Sequence, residues 1–306
     1  MHVITDDFNT IYNFNSAVAL GTFDGIHLGH REIIRLAKEY SNSRPVIVYA
    51  FENIPAVYFG SSDKAILTND EKIDVLSNLN IDYLVNVKFD EKIVDMAPTV
   101  FLDHLKNNFG ATVISCGFNY TFGKNAKGNP YLLSSYCNAN SIKAAVAQPV
   151  LYDSEPVSSS RIRKLLQNGN IELVNDMLSY NYFIKGNVIK GKRLGNTIGY
   201  PTANITFSSD KLVPKKGVYS TVTKINGVSY PSMTNIGVRP TVENTGISNA
   251  ETYIIGFDNN IYGENIRVEF LKYMREEVCF SSISDLKKQL NYDREIALQT
   301  YFSMIK

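Results

Sequence analysis

The chain has 306 residues, of which 44% are hydrophobic and 20% charged, and a formal net charge of +1. That length accommodates two domains with separate cores, and the balanced charge excludes the strong basic field of a nucleic-acid or anionic-membrane binder. No apolar run approaches a bilayer span, residues 1–7 lack a leader pattern, and three widely spaced cysteines, Cys116, Cys137 and Cys279, read as reduced thiols in a cytoplasm, without zinc-type pairs.

In chain order, residues 16–20 form a short apolar run stopped by Gly21 and predict a buried strand. Asp24-Gly25 marks a turn. Residues 31–40 predict a helix with Ile33, Ile34, Leu36 and Ala37 on its apolar side. His27 and His30 therefore fall where a strand hands over to a helix. Their spacing of three puts both imidazoles on one face of a first turn, where free N–H groups and the helix dipole favour phosphate. Residues 45–51, 82–87 and 111–116 predict further strands. Residues 69–79 predict a helix capped by Asn69, and residues 98–108 one with proline in its first turn. The alternation predicts an α/β fold, a doubly wound parallel sheet that binds ligands beyond its strands' carboxyl ends. The segment 21–30 follows one such end and the segment 117–124 another.

Val157-Ser158-Ser159-Ser160-Arg161-Ile162-Arg163 leads into a helical segment at 164–167. Three hydroxyls and an arginine at a helix start suit a polyphosphate, and equally an ordinary serine cap beside a surface arginine. A helix at 171–178 and a hinge at 179–181 close the first half, so the expected domains are 1–180 and 181–306. Beyond Tyr182, short β-type runs at 183–189, 217–225, 232–236, 250–257 and 266–271, with a hairpin signal at Asn226-Gly227, predict a small antiparallel barrel. Residues 284–305 predict a terminal helix from the spacing of Leu286, Leu290, Ile296, Leu298 and Phe302. The stretch 186–204 is glycine-rich without a Walker ending. Gly191, Gly195 and Gly199 either let backbone N–H groups approach phosphate or join two barrel strands.

The string Gly21-x-Phe23-Asp24-Gly25-x-His27-x-Gly29-His30 resembles the HxGH signature of nucleotidylyltransferases, a shorter form of which occurs in class I aminoacyl-tRNA synthetases. Residues 158–163 resemble a Ser-Ser-Thr-x-Ile-Arg element with Ser160 in the threonine slot. Residues 117–124 resemble a Gly-x-(Asp/Asn)-Phe-x-Phe-Gly element with Tyr120 in a Phe position. With these, the whole chain resembles the prokaryotic bifunctional riboflavin kinase/FMN adenylyltransferases. In its second half Gly199-Tyr200-Pro201-Thr202-Ala203-Asn204 resembles the riboflavin kinase signature. Glu251-Thr252-Tyr253 resembles a Glu-Thr-His segment, Tyr262-Gly263 a Tyr-Gly turn, and residues 275–280 an Arg-x-Glu-x-x-Phe element.

The resemblance implies an HxGH nucleotidylyltransferase domain followed by a six-stranded antiparallel β-barrel with a C-terminal helix. It implies phosphorylation of riboflavin by ATP, then attack of the FMN phosphate on the ATP α-phosphorus to give FAD and pyrophosphate. Gly21, Phe23, Asp24, Gly25, Ser158, Ser159 and Ser160 would line the nucleotide site. His27 and His30 would meet the ATP phosphates, Arg163 the leaving pyrophosphate, and Asn119 the flavin or its phosphate. In the second domain Gly191 and Gly199 would approach phosphate. Thr202 and Asn204, hard oxygen donors, would hold Mg²⁺ and ATP phosphate. Glu251 would be the base, and Arg275 and Glu277 would lie near the flavin. For Glu251 the plain alternative is a solvated strand carboxylate, and for Arg275 a surface pair with Glu277. The expected partners are ATP, riboflavin and FMN, with no nucleic acid or membrane, in a monomer or weak homo-oligomer.

One position departs from the family pattern. Residues 50–55 read Ala-Phe-Glu-Asn-Ile-Pro where relatives usually carry Thr-Phe-Asp-Pro-His-Pro, so Ile54 fills a histidine slot and offers phosphate no hydrogen bond. This leaves two further readings: a kinase joined to a weakened adenylyltransferase, and a non-enzymatic flavin-binding regulator.

Overall fold

The computed structural model describes residues 1–191, 198–238 and 248–304. Contacts divide the chain into two compact units, Met1–Ser159 and Ser160–Lys306.

The first unit is an α/β sandwich. Its elements are β1 (His2–Thr5), β2 (Ala17–Leu20), α1 (Leu28–Tyr40), β3 (Val46–Phe51), α2 (Pro55–Tyr58), α3 (Asn69–Ser77), β4 (Tyr83–Val87), α4 (Glu91–Val94), α5 (Pro98–Phe109), β5 (Val113–Gly117), α6 (Pro130–Ala139) and β6 (Lys143–Ala147). A small pair, β7 (Leu151–Tyr152) with β8 (Glu155–Pro156), follows. The six main strands run parallel in the order β1-β4-β3-β2-β5-β6. Every residue of β2 is buried, as a central parallel strand covered on both faces must be. One face packs Val18, Leu20, Ile47 and Tyr49 against Phe101, Leu102 and Leu105 of α5; α1 packs on β2 and β5. The chain winds outward from β2 through β3 and β4 in one direction and through β5 and β6 in the other. The topological switch, where such sheets open a crevice, therefore lies between the carboxyl ends of β2 and β5.

The starts of two helices in this unit differ from the sequence expectation. Helix α1 begins at Leu28 rather than residue 31, because His27 caps it. Helix α3 is capped by Thr68, not Asn69: the Thr68 hydroxyl accepts from Glu71 N–H while Glu71 accepts from Thr68 N–H, a capping box.

The second unit opens in α7 (Ser159–Asn168), whose first residue still belongs to the first unit, and continues through α8 (Ile171–Leu178). Strands β9 (Phe183–Ile189), β10 (Thr202–Thr206), β11 (Gly217–Ile225), β12 (Val228–Val238), β13 (Ser248–Ile254) and β14 (Asn265–Arg275) follow, then α9 (Ile283–Met304). They close an antiparallel barrel in the order β10-β13-β12-β11-β14-β9. Asn226 (φ 49°) and Gly227 (φ 81°) make the β11–β12 turn in the left-handed region that a tight hairpin requires. Tyr182 and Tyr219 lie against Phe270. Beside them Thr221, Thr223, Ser232, Thr234 and Thr252 form a buried hydroxyl ladder with O···O distances of 2.8–2.9 Å. Each hydroxyl finds its partner there, which is what makes its burial tolerable. Helix α8 is tied to the barrel where Asn175 donates to Phe270 O and accepts from Tyr182 N–H. Of the positions singled out from sequence, Gly195 and Ile305 lie outside the described residues.

Candidate active sites in the two units

In the first unit the turn after β2 is shaped by three residues of positive φ: Phe23 (51°), Gly25 (88°) and Ile26 (43°). Two side chains hold it in that path. The Asp24 carboxylate accepts from the N–H groups of Ile66 and Leu67 at 2.9 and 3.3 Å, and the Asp24 carbonyl accepts from the Ser159 hydroxyl at 2.8 Å. The turn delivers His27 to the N-cap of α1, where its Nδ1 accepts from His30 N–H at 3.3 Å. An Nδ1 that accepts carries no proton, so the neutral ring bears its hydrogen on Nε2. The two imidazoles stack with centroids 3.8 Å apart, and Phe23 lies 5.2 Å from His30. A Cβ at Gly29 would stand 3.1 Å from the His27 ring, so a larger residue there would press the ring out of its place. Gly21 leaves room for the Phe23 ring in the same way, at 3.2 Å.

Both histidines are buried. Desolvation lowers His27 from its ordinary 6.5 to about 4, and lowers His30 well below its ordinary value too, with smaller like-charge contributions from His27 and Lys72. Nδ1 of His30 is buried and meets no hydrogen-bond partner among the described residues. The result is a neutral imidazole pair at the N-terminus of a thirteen-residue helix, at the sheet's switch point.

A pH dependence of stability follows. A histidine held neutral in the fold titrates near 6.5 once unfolded, so its stabilisation is complete above that pH and is lost as pH falls toward about 4. His27 alone accounts for about 3 kcal/mol over that window. Hydrogen-exchange protection of the β2 and β3 amides should weaken between pH 6.5 and 4, and His27→Gln should flatten the slope. An equal slope in that variant would refute the assignment.

The remaining predicted residues of this site are placed as follows. Asn119 is exposed just beyond β5, with its Oδ1 against Gly117. Ser158 is half-buried beside Ser159. Ser160 and Arg163 fall in the second unit, on α7. Ile54 is half-buried at the N-cap of α2, where its side chain makes no capping hydrogen bond. Its neighbour Asn53 donates to Phe89 O at 3.1 Å and accepts from Phe89 N–H at 2.9 Å, clasping the β3 loop to the β4 loop. Sequence reasoning missed Lys72. It lies on α3 with Val75 and Leu76, three and four residues on, and all three are buried. A lysine on the apolar face was the available signal.

In the second unit the barrel register assembles the site. Asn204 on β10 pairs with Glu251 on β13, which pairs with Asn235 on β12. Directly paired residues share a sheet face, so a carboxylate lies between two carboxamides. Thr252, one residue on, points the other way into the hydroxyl ladder. Thr202 stands two residues before Asn204 and shares its face; it is half-buried, and Asn204 is buried. Gly191 gives the Asn204 amide its place, since a Cβ at 191 would come within 2.1 Å of Nδ2. Gly199 takes φ 87° in open space. Asn235, also missed from sequence, donates to Glu277 Oε1 at 2.8 Å, extending the polar row, while its own Oδ1 is buried without a partner among the described residues.

Glu277 is therefore engaged by Asn235, and Arg275 is engaged elsewhere. The Arg275 guanidinium forks onto Asp293 of α9 at 2.7–3.1 Å, and Asp293 is buried. The Phe280 ring centre is 5.9 Å from its Cζ. Tyr253, in the slot of a usual histidine, packs on Tyr200 at 4.9 Å.

Comparison with known families agrees with this division. A family described as FAD synthetase matches residues 10–161 and one described as Riboflavin kinase matches residues 178–301. Three similar curated proteins carry the name Bifunctional riboflavin kinase/FMN adenylyltransferase. That of Listeria monocytogenes is 32% identical over 299 residues, spanning 96% of this chain and 94% of its own. That of Bacillus subtilis is 33% identical over 298 residues, spanning 95% and 94%. That of Escherichia coli K12 is 31% identical over 297 residues, spanning 94% and 93%. A solved structure named Macrolide-efflux Protein, from Streptococcus pneumoniae, superposes with a TM-score of 0.87 at 28% identity, covering 97% of this chain and 99% of that one.

Proposed function

The chain belongs to the bifunctional riboflavin kinase/FMN adenylyltransferase family, and from that premise we propose how its residues share two reactions. It is an enzyme of flavin-nucleotide synthesis, a phosphotransferase and a nucleotidyltransferase in one chain. The observation that carries the assignment of residues is that each matched half contains its own assembled polar site: the stacked histidines capping α1, and the Asn204–Glu251–Asn235 row. No transport role is taken from the name of the S. pneumoniae neighbour. Among the described residues no helix is long and apolar enough to cross a membrane.

In adenylyl transfer an FMN phosphate oxygen attacks the ATP α-phosphorus and the bond to pyrophosphate breaks. This needs alignment and charge neutralisation, with no covalent nucleophile from the protein. His27 and His30 donate from neutral rings to the phosphates, beside the free N–H groups of α1. Ser158, Ser159 and Ser160 supply further donors, Arg163 pairs with the departing pyrophosphate, and Asn119 positions the flavin or its phosphate. Gly21, Phe23, Asp24 and Gly25 shape the turn. We assign this reaction to residues 1–180, a span that includes Arg163 on α7, and the second to residues 181–306.

In riboflavin phosphorylation Glu251 accepts the proton of the attacking primary hydroxyl, which bonds to the ATP γ-phosphorus as ADP leaves. Thr202 and Asn204 offer two neutral oxygens. That is too few for a protein cage and suits a Mg²⁺ that keeps its phosphate ligands and waters. Glycine at 191 leaves the Asn204 amide the space it occupies. Mg²⁺ supplies charge neutralisation of the triphosphate when bound. Arg275 and Glu277 frame the flavin side, and Gly191 and Gly199 the phosphate side. We place the enzyme in the cytoplasm, as a monomer or weak homo-oligomer; its free cysteines suit a reducing compartment.

Chromatography of products tests the reading. Protein freed of flavin and given riboflavin, ATP and Mg²⁺ should make FMN first and FAD after it. FMN that accumulates with no FAD, even from supplied FMN, would give the first unit over to the weakened reading that Ile54 raises. No product would leave a flavin-binding protein.

A further inference from the structure

Asn235 on β12 has a carboxylate on each side. It is paired directly with Glu251 of β13, and its Nδ2 donates to Glu277 Oε1 at 2.8 Å. Directly paired residues of an antiparallel sheet carry their Cβ atoms about 4.5–5.5 Å apart, within reach of the polar ends of a glutamate and an asparagine. Gly237, on the same face of β12, keeps a seat open for Glu277. A Cβ there would stand 2.9 Å from Glu277 Oε1 and 3.6 Å from Asn235 Nδ2. The nitrogen end of the amide therefore lies toward Gly237 and Glu277. A carboxylate only accepts, so Glu277 also fixes which end of the amide is the nitrogen.

The other end of the amide is unsatisfied. Asn235 Oδ1 is buried and meets no hydrogen-bond donor among the described residues. Such an atom is costly and calls for a reason. An amide has one donating end and one accepting end. Between two carboxylates it satisfies one with its nitrogen and offers the other only an oxygen. The mismatch disappears when the second carboxylate takes up a proton, because a carboxylic acid has an O–H to donate. Glu251 is the group to which the proposed reaction delivers that proton.

We propose that Asn235 is a positioning residue for riboflavin phosphorylation: its unpaired Oδ1 accepts a hydrogen bond from the Glu251 carboxyl once that group has taken the substrate's proton. As the primary hydroxyl oxygen bonds to the γ-phosphorus, the bond to ADP breaks and the proton passes to Glu251. The new O–H is then held by Asn235 until solvent removes the proton. This bond exists only after proton transfer has begun, so it lowers the barrier and adds nothing to binding of the unreacted substrate. The amide also sorts the two acids, giving its donor end to Glu277 and its acceptor end to Glu251. All of this rests on the reading of Glu251 as the base. Glu251→Gln alone tests that reading, and the coupling between the two residues tests Asn235.

The experiment is a double-mutant cycle in the full chain: wild type, Asn235→Leu, Glu251→Gln and the two together. Asn235→Leu should lower kcat for riboflavin phosphorylation about 10–100-fold. KM for riboflavin should rise by no more than about threefold, as Glu277 loses its tether. FMN adenylylation by the same preparation should keep the wild-type rate. In the Glu251→Gln chain, which takes up no proton at this position, adding Asn235→Leu should cost less than about twofold in kcat. A second readout needs no turnover. The amide introduced by Glu251→Gln has an N–H for the orphaned oxygen. Glu251→Gln should therefore raise hydrogen-exchange protection of the β12 and β13 amides about fivefold more with Asn235 in place than with Asn235→Leu. Asn235→Ala replaces Asn235→Leu throughout if the leucine variant does not fold. Additive losses of kcat, a loss confined to KM, or equal gains in protection would each overturn the proposal. A wild-type kinase rate in Glu251→Gln would remove the base reading itself, and the proposal with it.

Discussion

Glu251→Gln should lower riboflavin phosphorylation by about 10²–10⁴-fold, the usual worth of a positioned general base, and leave FMN adenylylation at the wild-type rate. The substitution preserves size and hydrogen-bonding reach, so the row between Asn204 and Asn235 keeps its geometry while losing its carboxylate. Glu251 is exposed in the structure, which keeps the folding cost of the change small. The second activity of the same preparation is the control, since it is assigned to residues in the other half of the chain. Initial rates of ADP release with riboflavin and of FAD formation with FMN check both statements. A kinase rate within twofold of wild type would remove Glu251 from the role of base and leave it a solvated strand carboxylate.

The second large effect is expected at His30. His30→Ala should lower adenylyl transfer by about 10²–10³-fold, the scale of losing one donor to a phosphate that changes charge during reaction, with riboflavin phosphorylation unchanged. The change also unstacks His27 and opens space beside Phe23. The first unit should therefore lose stability as well, by about 1–3 kcal/mol. Thermal unfolding separates the two consequences. A rate loss seen only where the first unit is partly unfolded would assign His30 to packing. Equal damage to both reactions would mark a general folding defect.

Much of this was legible in sequence because local signals and global fold agreed. The strand, turn and helix around residues 16–40 follow from an apolar run, a glycine and a helical period, and the switch point of the sheet falls where the HxGH string predicts a phosphate site. The hairpin at Asn226-Gly227 is where the dipeptide places it. Other features were hidden for identifiable reasons. Strand β1 is a four-residue edge strand with mostly exposed side chains, and so lacks an apolar run to betray it. The cap of α3 was misplaced by one residue. Asn69 is a good cap in isolation, but Thr68 is the residue with a glutamate three positions on. The Arg275–Asp293 fork joins residues 18 apart on a strand and a helix, beyond any local spacing rule. Asn235 and Glu251 come together through strand register alone. Lys72 carried a signal that was present and unread: a lysine at a position where the helical period demands an apolar side chain.

The hydroxyl ladder and the Asn204–Glu251–Asn235 row occupy opposite faces of one β-strand layer, and neighbouring residues of β13 alternate between them. Deleting or inserting a single residue within β13 would therefore exchange the two sets. Glu251 would turn toward Thr221, Ser232 and Thr234, and a threonine would take its place beside Asn204. No shift of loops repairs such a change, because the closed barrel has no free edge along which β13 could slide. Over the history of such a chain, length variation in this strand is forbidden in a way that substitution is not. Its residues can be exchanged one for one, but never re-spaced.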